Sequence, residues 1–159
     1  AKMLWYPQRD VARLILQPPK LTLPLNSRYA DAYRDLILIA KTNHIRLALG
    51  NFSLAVNQGS GLDVAEFYRT CAPAVHWFVR ANSAHTTMLE QFTASNPEVK
   101  LVNTNPKLDG HHELFIDVAH LTKEGRTQLA ENFYAGLREI LVSDLHPEGQ
   151  ESGAKKREN

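Results

Sequence analysis

Two short apolar runs, "IRLALGNF" from residue 45 and "VKLVNTN" from residue 99, flank a long stretch with helical periodicity, and this arrangement restricts the folds open to the chain. Apolar runs of this length bounded by Gly, Asn and Pro suit buried strands. A helical connection between two strands carries the chain back across the sheet, so the strands are expected to lie parallel. Helical patterns also precede the first run and follow the second. The order is helix, strand, long helical region, strand, loop, helix, which is an α/β pattern.

The helical segments carry their own punctuation. Ser27 is a natural N-cap for "RYADAYRDLILIAKTNH", in which Tyr29, Tyr33, Leu36, Ile37 and Ala40 form one apolar stripe and Asn43 suits the C-terminal end. "NQGSGLD" reads as a loop, with Asp63 and Glu66 as a capping box for the next helix. Pro73 is expected to break that helix or to open a second one. Beyond it the stripe Trp77, Phe78, Ala81, Met88, Leu89 and Phe92 carries a helix to about Ser95, where "NPE" stops it. The last helix is expected over 121–145, with Leu129, Phe133, Leu137, Ile140 and Leu141 on one face. Prolines at 7, 18, 19 and 24 make 1–26 a Pro-rich lead-in, within which "VARLIL" fits either a strand or one helical turn. The organisation is therefore a lead-in at 1–26, an α/β unit at 27–145 and, at 146–159, a tail too poor in apolar residues to order itself.

Composition excludes several function classes. The 159 residues carry 18 Lys+Arg against 17 Asp+Glu, a balance that offers no electrostatic case for nucleic acid or an anionic membrane surface. No apolar run reaches the roughly 18–20 residues of a membrane span. The single cysteine, Cys71, has no partner for a disulfide or metal pair and is expected to be a buried, inert thiol. Position 1 is Ala, so the chain is expected to begin inside a longer protein. Nothing in the sequence points to a compartment.

The chemistry concentrates in "HELFIDVAHLTKEG", residues 112–125. Asp117 and His120 stand between the second strand and the last helix, where open α/β sheets place their ligand crevices. In a helical turn, residues three apart share a face, so the carboxylate can accept a hydrogen bond from one imidazole nitrogen. That bond fixes the tautomer, stabilises an imidazolium and leaves the other nitrogen free to take a proton from a hydroxyl nucleophile. The plainer alternative has Asp117 capping a turn beside a surface histidine, since Asp-x-x-His is a short pattern.

The wider block resembles the closing block of the SGNH, or GDSL, hydrolase family. There an apolar run leads into Asp-x-x-His, then Leu-Thr, a Gly and a helix with Leu-Ala. Here these are Leu114, Phe115, Ile116, Asp117, His120, Leu121, Thr122, Gly125, Leu129 and Ala130. The preceding helix and strand segments follow the family order across residues 27–142. The resemblance implies a partial three-layer α/β/α (flavodoxin-like) fold with a parallel sheet whose N-terminal strands are missing. It implies a serine esterase, lipase or acyl hydrolase without metal or organic cofactor, acting on an ester or an acylated small molecule or carbohydrate. Asp117 and His120 would be its catalytic residues.

The chain departs from the family at the nucleophile. It contains no Gly-Asp-Ser block and no Gly-x-Asn oxyanion block; "GNFS" at 50–53 imitates the first but stands too close to Asp117, so Ser53 reads as a loop residue. The expectation is a C-terminal part of such a hydrolase, inactive alone, with an apolar sheet edge open to self-association and partly covered by Trp5 and Tyr6. Two other readings compete. One is a non-catalytic α/β interaction module. The other is a metal-dependent hydrolase using His111, His112, Glu113, Asp117 and His120, although adjacent histidines seldom share one ion. His76 and His85 are expected in core or surface roles, and His44 and His146 at helix ends.

Overall fold

The computed structural model describes residues 13–17, 25–72 and 74–145. The expectations for Trp5, Tyr6, the prolines of the lead-in, Pro73, His146 and the tail lie outside these residues. Within the "VARLIL" run, residues 13–16 form a helical turn that buries Ile15 completely.

Among the described residues, four helices and two strands follow the expected order after the turn at 13–16, with one 3-10 turn among them: α1 (Arg28–Thr42), β1 (Ala48–Gly50), α2 (Leu62–Cys71), α3 (Val75–Ser95), β2 (Lys100–Val102), the 3-10 turn (His112–Leu114) and α4 (Lys123–Leu145). The strands pair in parallel, with Ala48 opposite Lys100, Leu49 opposite Leu101 and Gly50 opposite Val102. Each strand is shorter than its apolar run. Beyond Gly50 and Val102 the backbone turns away into loops held together by side-chain as well as backbone bonds.

Alternation along the strands sends side chains to both faces. Leu49 and Leu101 pack with Ala30 and Ile37 of α1 and Met88, Leu89 and Phe92 of α3. On the other face α4 comes so close that a Cβ on Gly136 would lie 2.7 Å from Val102 Cγ1, and one on Gly50 2.7 Å from Phe133 Cζ. Helices thus lie against both faces of the strand pair. A second cluster, built on Ile15, Leu54, Val56, Tyr68, Val75, Val79, Leu108 and Phe115, sits under the loops that leave the strands.

Helix α1 starts and stops as the sequence indicates: Ser27 Oγ accepts from Ala30 N–H at 3.3 Å and Asn43 is the C-cap. His44 follows it in the left-handed region, at φ 53°. Four expectations are corrected. The capping box at Asp63 does not form; the N-cap of α2 is Gly61, Asp63 lies inside the first turn, and Glu66 pairs with Arg69 at 2.7 Å. Cys71 is exposed, because the buried face of α2 runs through Ala65 and Tyr68 and the last residue of the helix falls off it. In α3 the buried face is Val75, Val79, Ala84, His85, Met88, Leu89 and Phe92, whereas Trp77 and Phe78 are more than half exposed. The first half of that helix packs against α2 instead of continuing the stripe, and Trp77 lies under the Arg80 guanidinium at 4.9 Å. The stripe of α1 is likewise narrower than expected, since Tyr29 and Leu36 are exposed.

Candidate functional site

The loops after β1 and β2 are tied to each other at the carboxyl ends of the strands. Thr104 N–H donates to Asn51 Oδ1 at 2.7 Å, and Thr104 Oγ1 donates to the Asn51 carbonyl at 2.5 Å. Asn132 reaches out of α4 to donate through Nδ2 to the carbonyls of Thr104 and Pro106, at 2.7 and 2.8 Å. Buried polar groups on both sides are satisfied at once, which offsets their desolvation. Further on, the Asp109 carboxylate accepts from Leu54 N–H at 2.7 Å and from Asn57 Nδ2 at 2.6 Å, while Gly110 N–H donates to the Leu54 carbonyl at 2.7 Å. Gly110 sits at φ +82°, a conformation that favours glycine.

This tied pair of loops carries the Asp117–His120 turn. Ala55 N–H donates to the Val118 carbonyl at 2.9 Å, in the middle of the turn. Ile116 N–H donates to the His120 carbonyl at 2.7 Å, and Phe115 and Leu121 form an antiparallel bridge that closes its base. The turn then runs straight into α4. Thr122 Oγ1 accepts from Gly125 N–H at 3.1 Å, so Thr122 is the N-cap, and it also donates to the Leu114 carbonyl at 3.2 Å. A Cβ at Gly125 would lie 2.2 Å from the Leu114 carbonyl oxygen. The Thr-x-x-Gly spacing therefore does two local jobs: the threonine starts the helix, and the glycine lets the preceding backbone cross its first turn.

Within the turn, Asp117 Oδ2 lies 2.7 Å from His120 Nδ1. Its other oxygen, Oδ1, accepts from the N–H groups of Ala119 and His120, both at 2.9 Å. The expectation of a shared helical face is corrected here, since residues 116–120 are not helical. The two side chains meet because an Asx turn folds the backbone around the carboxylate. Capping and imidazole orientation are thus two uses of one carboxylate. Those amide bonds, and after them the imidazole, hold the Asp117 carboxyl down at about 2. With Asp117 ionised and acceptor-only, Nδ1 is the protonated nitrogen of a neutral His120 and Nε2 is its acceptor. No side chain among the described residues bonds Nε2.

Both side chains are solvent-facing, at 56% exposure for Asp117 and 80% for His120. Neither lines any of the principal grooves formed by the described residues. Ser53 is part of the tied loops: its Oγ lies 3.0 Å from Asn105 Oδ1 and 3.4 Å from the Thr104 carbonyl. His111 and His112 face Glu113, at 3.1 and 3.6 Å, away from the Asp117–His120 pair. Among the described residues no three His, Cys, Asp or Glu side chains converge in a way that suits a metal ion.

The buried histidine is His85, whose Nε2 lies 2.8 Å from Tyr33 Oη and whose Nδ1 has no partner among the described residues. Burial lowers its pKa and raises that of Tyr33, so both are neutral at physiological pH. Sequence reasoning missed Asn51, Thr104, Asp109 and Asn132 altogether: the first three are polar loop residues, which carry no periodic signal, and Asn132 is a polar residue within α4 that an apolar stripe does not single out. No helix of the described residues is long and apolar enough to cross a membrane. Comparison of the chain with protein-family models, curated proteins and solved structures finds no match.

Proposed function

We propose that the chain is the C-terminal part of an SGNH-type ester hydrolase, completing a flavodoxin-like three-layer sheet, and that Asp117 and His120 are its acid–base pair. The observation that carries this reading is the 2.7 Å contact from Asp117 Oδ2 to His120 Nδ1, made by a carboxylate whose other oxygen is already fixed by two backbone amides. The pair also stands after a parallel strand and before an amphipathic helix, and the Thr122–Gly125 spacing has a defined structural use.

In this reading a serine from outside these residues attacks the ester carbonyl, and its hydroxyl proton passes to His120 Nε2. The C–O bond to the leaving alcohol breaks as His120 returns that proton to it. Water then repeats the sequence on the acyl-enzyme and releases the acid. Asp117 holds the reactive tautomer and stabilises the imidazolium in both halves. The test joins this chain to a segment carrying the serine block and measures p-nitrophenyl acetate hydrolysis. His120→Ala is expected to lower kcat by about 10⁶-fold. Unchanged turnover would remove His120 from the mechanism.

A second reading, a non-catalytic α/β interaction module that associates through its sheet edge, is favoured by the exposure of the pair. Translated upstream sequence discriminates: a strand followed by Gly-Asp-Ser supports the hydrolase, and its absence supports the module.

A further inference from the structure

Past the carboxyl ends of β1 and β2, the tied loops and one flank of α3 enclose a groove of about 440 Å³. That volume falls within the range of small-molecule sites. Asn57, Gln58, Asn82, Ser83, Thr86 and Asn105 supply its polar wall, over an apolar floor of Leu54, Val56 and Val79. The charged residues lining it are Glu90 and Asp109, with no Lys, Arg or His among the described lining residues.

Much of this polarity is unused within the protein. The side chains of Gln58, Ser83, Thr86 and Glu90 make no hydrogen bond among the described residues. Asn82 uses only Nδ2, donating to the Phe52 carbonyl at 2.9 Å, and Asn105 uses only Oδ1, accepting from Ser53 Oγ at 3.0 Å. That leaves an amide acceptor, an amide donor, a second amide and two hydroxyls open to the groove. Asp109 behaves differently. Both its oxygens are engaged, by Leu54 N–H and Asn57 Nδ2, so it fixes the shape of the wall instead of attracting a ligand. A wall held this way is preorganised, which lowers the ordering cost of binding.

We propose that this groove binds a neutral saccharide through its hydroxyls. A sugar hydroxyl both donates and accepts, so it matches a wall that mixes amide N–H, amide C=O and hydroxyl groups. Carboxylates without a fixed cation disfavour phosphate and other anions. An acyl chain would leave the open amides desolvated and unpaired. The site is distinct from the Asp117–His120 turn, since neither residue lines it, and it does not depend on the role of His120.

The test titrates the full chain, ¹⁵N-labelled, with xylotriose, maltotriose and chitotriose in separate series, and with glucuronate and spermidine as charged controls. Saturable shifts are expected at the amides of Gln58, Gly59, Ser83, Thr86 and Asn105 with at least one neutral sugar. Thr86→Val and Gln58→Ala should each weaken that binding about three- to ten-fold while leaving the remaining spectrum in place. His120→Ala should leave it unchanged. No saturable shift with any neutral sugar overturns the proposal, as do shifts confined to the exposed Trp77 and Phe78. Preferential spermidine binding abolished by Glu90→Gln also overturns it and marks the groove as a cation site. Binding lost in His120→Ala would move the ligand to the other site and equally defeat the proposal.

Discussion

The joint between the strand-end loops and the turn bearing Asp117 and His120 are both polar, yet they are held in opposite ways. The joint is built from long-range bonds: Asn51 with Thr104, Asn132 with Thr104 and Pro106, and Asp109 with Leu54 and Asn57. Thr104 is fully buried and Asn132 nearly so. The turn is built from bonds spanning two or three residues, and both its side chains face solvent. The first arrangement depends on the whole fold. The second is nearly complete in its own five residues and is anchored to the fold by the bond from Ala55 N–H to the Val118 carbonyl. A buried, shared network fixes where the turn stands, and a local carboxylate fixes how its imidazole points.

Substitutions can break this comparison in order of severity. The largest effect is expected where the two regions meet the last helix. Gly125→Ala places a methyl 2.2 Å from the Leu114 carbonyl oxygen, against backbone that cannot yield cheaply. It should cost about 3 kcal/mol in urea unfolding. A neutral outcome would mean that the first turn of α4 stands further from residue 114 than described.

Asn132→Ala removes the donor of two carbonyls and leaves that of Thr104 buried without it, for about 2 kcal/mol. The titration of Asp117, followed by carboxyl ¹³C shifts, should not move in this variant. If it does, the turn is not locally determined and the contrast collapses. Asp109→Ala should cost a further, slightly smaller amount, about 1.5 kcal/mol, because its partners are only partly buried and water can reach them. Hydrogen exchange at the Leu54 amide is the sharper readout, and unchanged protection there would dismiss the clamp.

The smallest effect on stability is expected at the turn itself. The Asp117 carboxyl is held at about 2, below its ordinary 3.8, chiefly by the amides of Ala119 and His120. Its folded value lies below its unfolded value, so its contribution is complete above about pH 4 and is lost as the pH falls towards 2. Asp117→Asn should flatten that part of the stability–pH curve and little else, since the group is exposed. A curve of unchanged shape in the variant would show that the bonds to the turn amides do not persist in solution.

Part of this was legible in the residues. Helix α1 announces itself through Ser27 and Asn43 because caps are local chemistry. The parallel pairing of β1 and β2 follows from the helices between two apolar runs. The Asp117–His120 contact follows from a spacing of three with a carboxylate short enough to fold back on its own backbone. Other features were hidden for equally physical reasons. Trp77 and Phe78 are as apolar as Met88 and Leu89, and only the position of α2 leaves them in solvent. Cys71 has an ordinary buried-type neighbourhood in sequence, and only the end of α2 turns it outward.

The sequence by itself determined the order of elements, the parallel sense of the strands and the pairing of Asp117 with His120. Each of these rests on interactions between residues a few positions apart, or on which connections a chain can make. Tertiary structure alone decided which face of each helix is buried, that Asn132 ties α4 to the loop after β2, that Asp109 fixes the loop after β1, and that a polar groove opens beside α3. These depend on residues tens of positions apart meeting at one place, and periodicity records only that a residue is apolar or polar, not what it will meet.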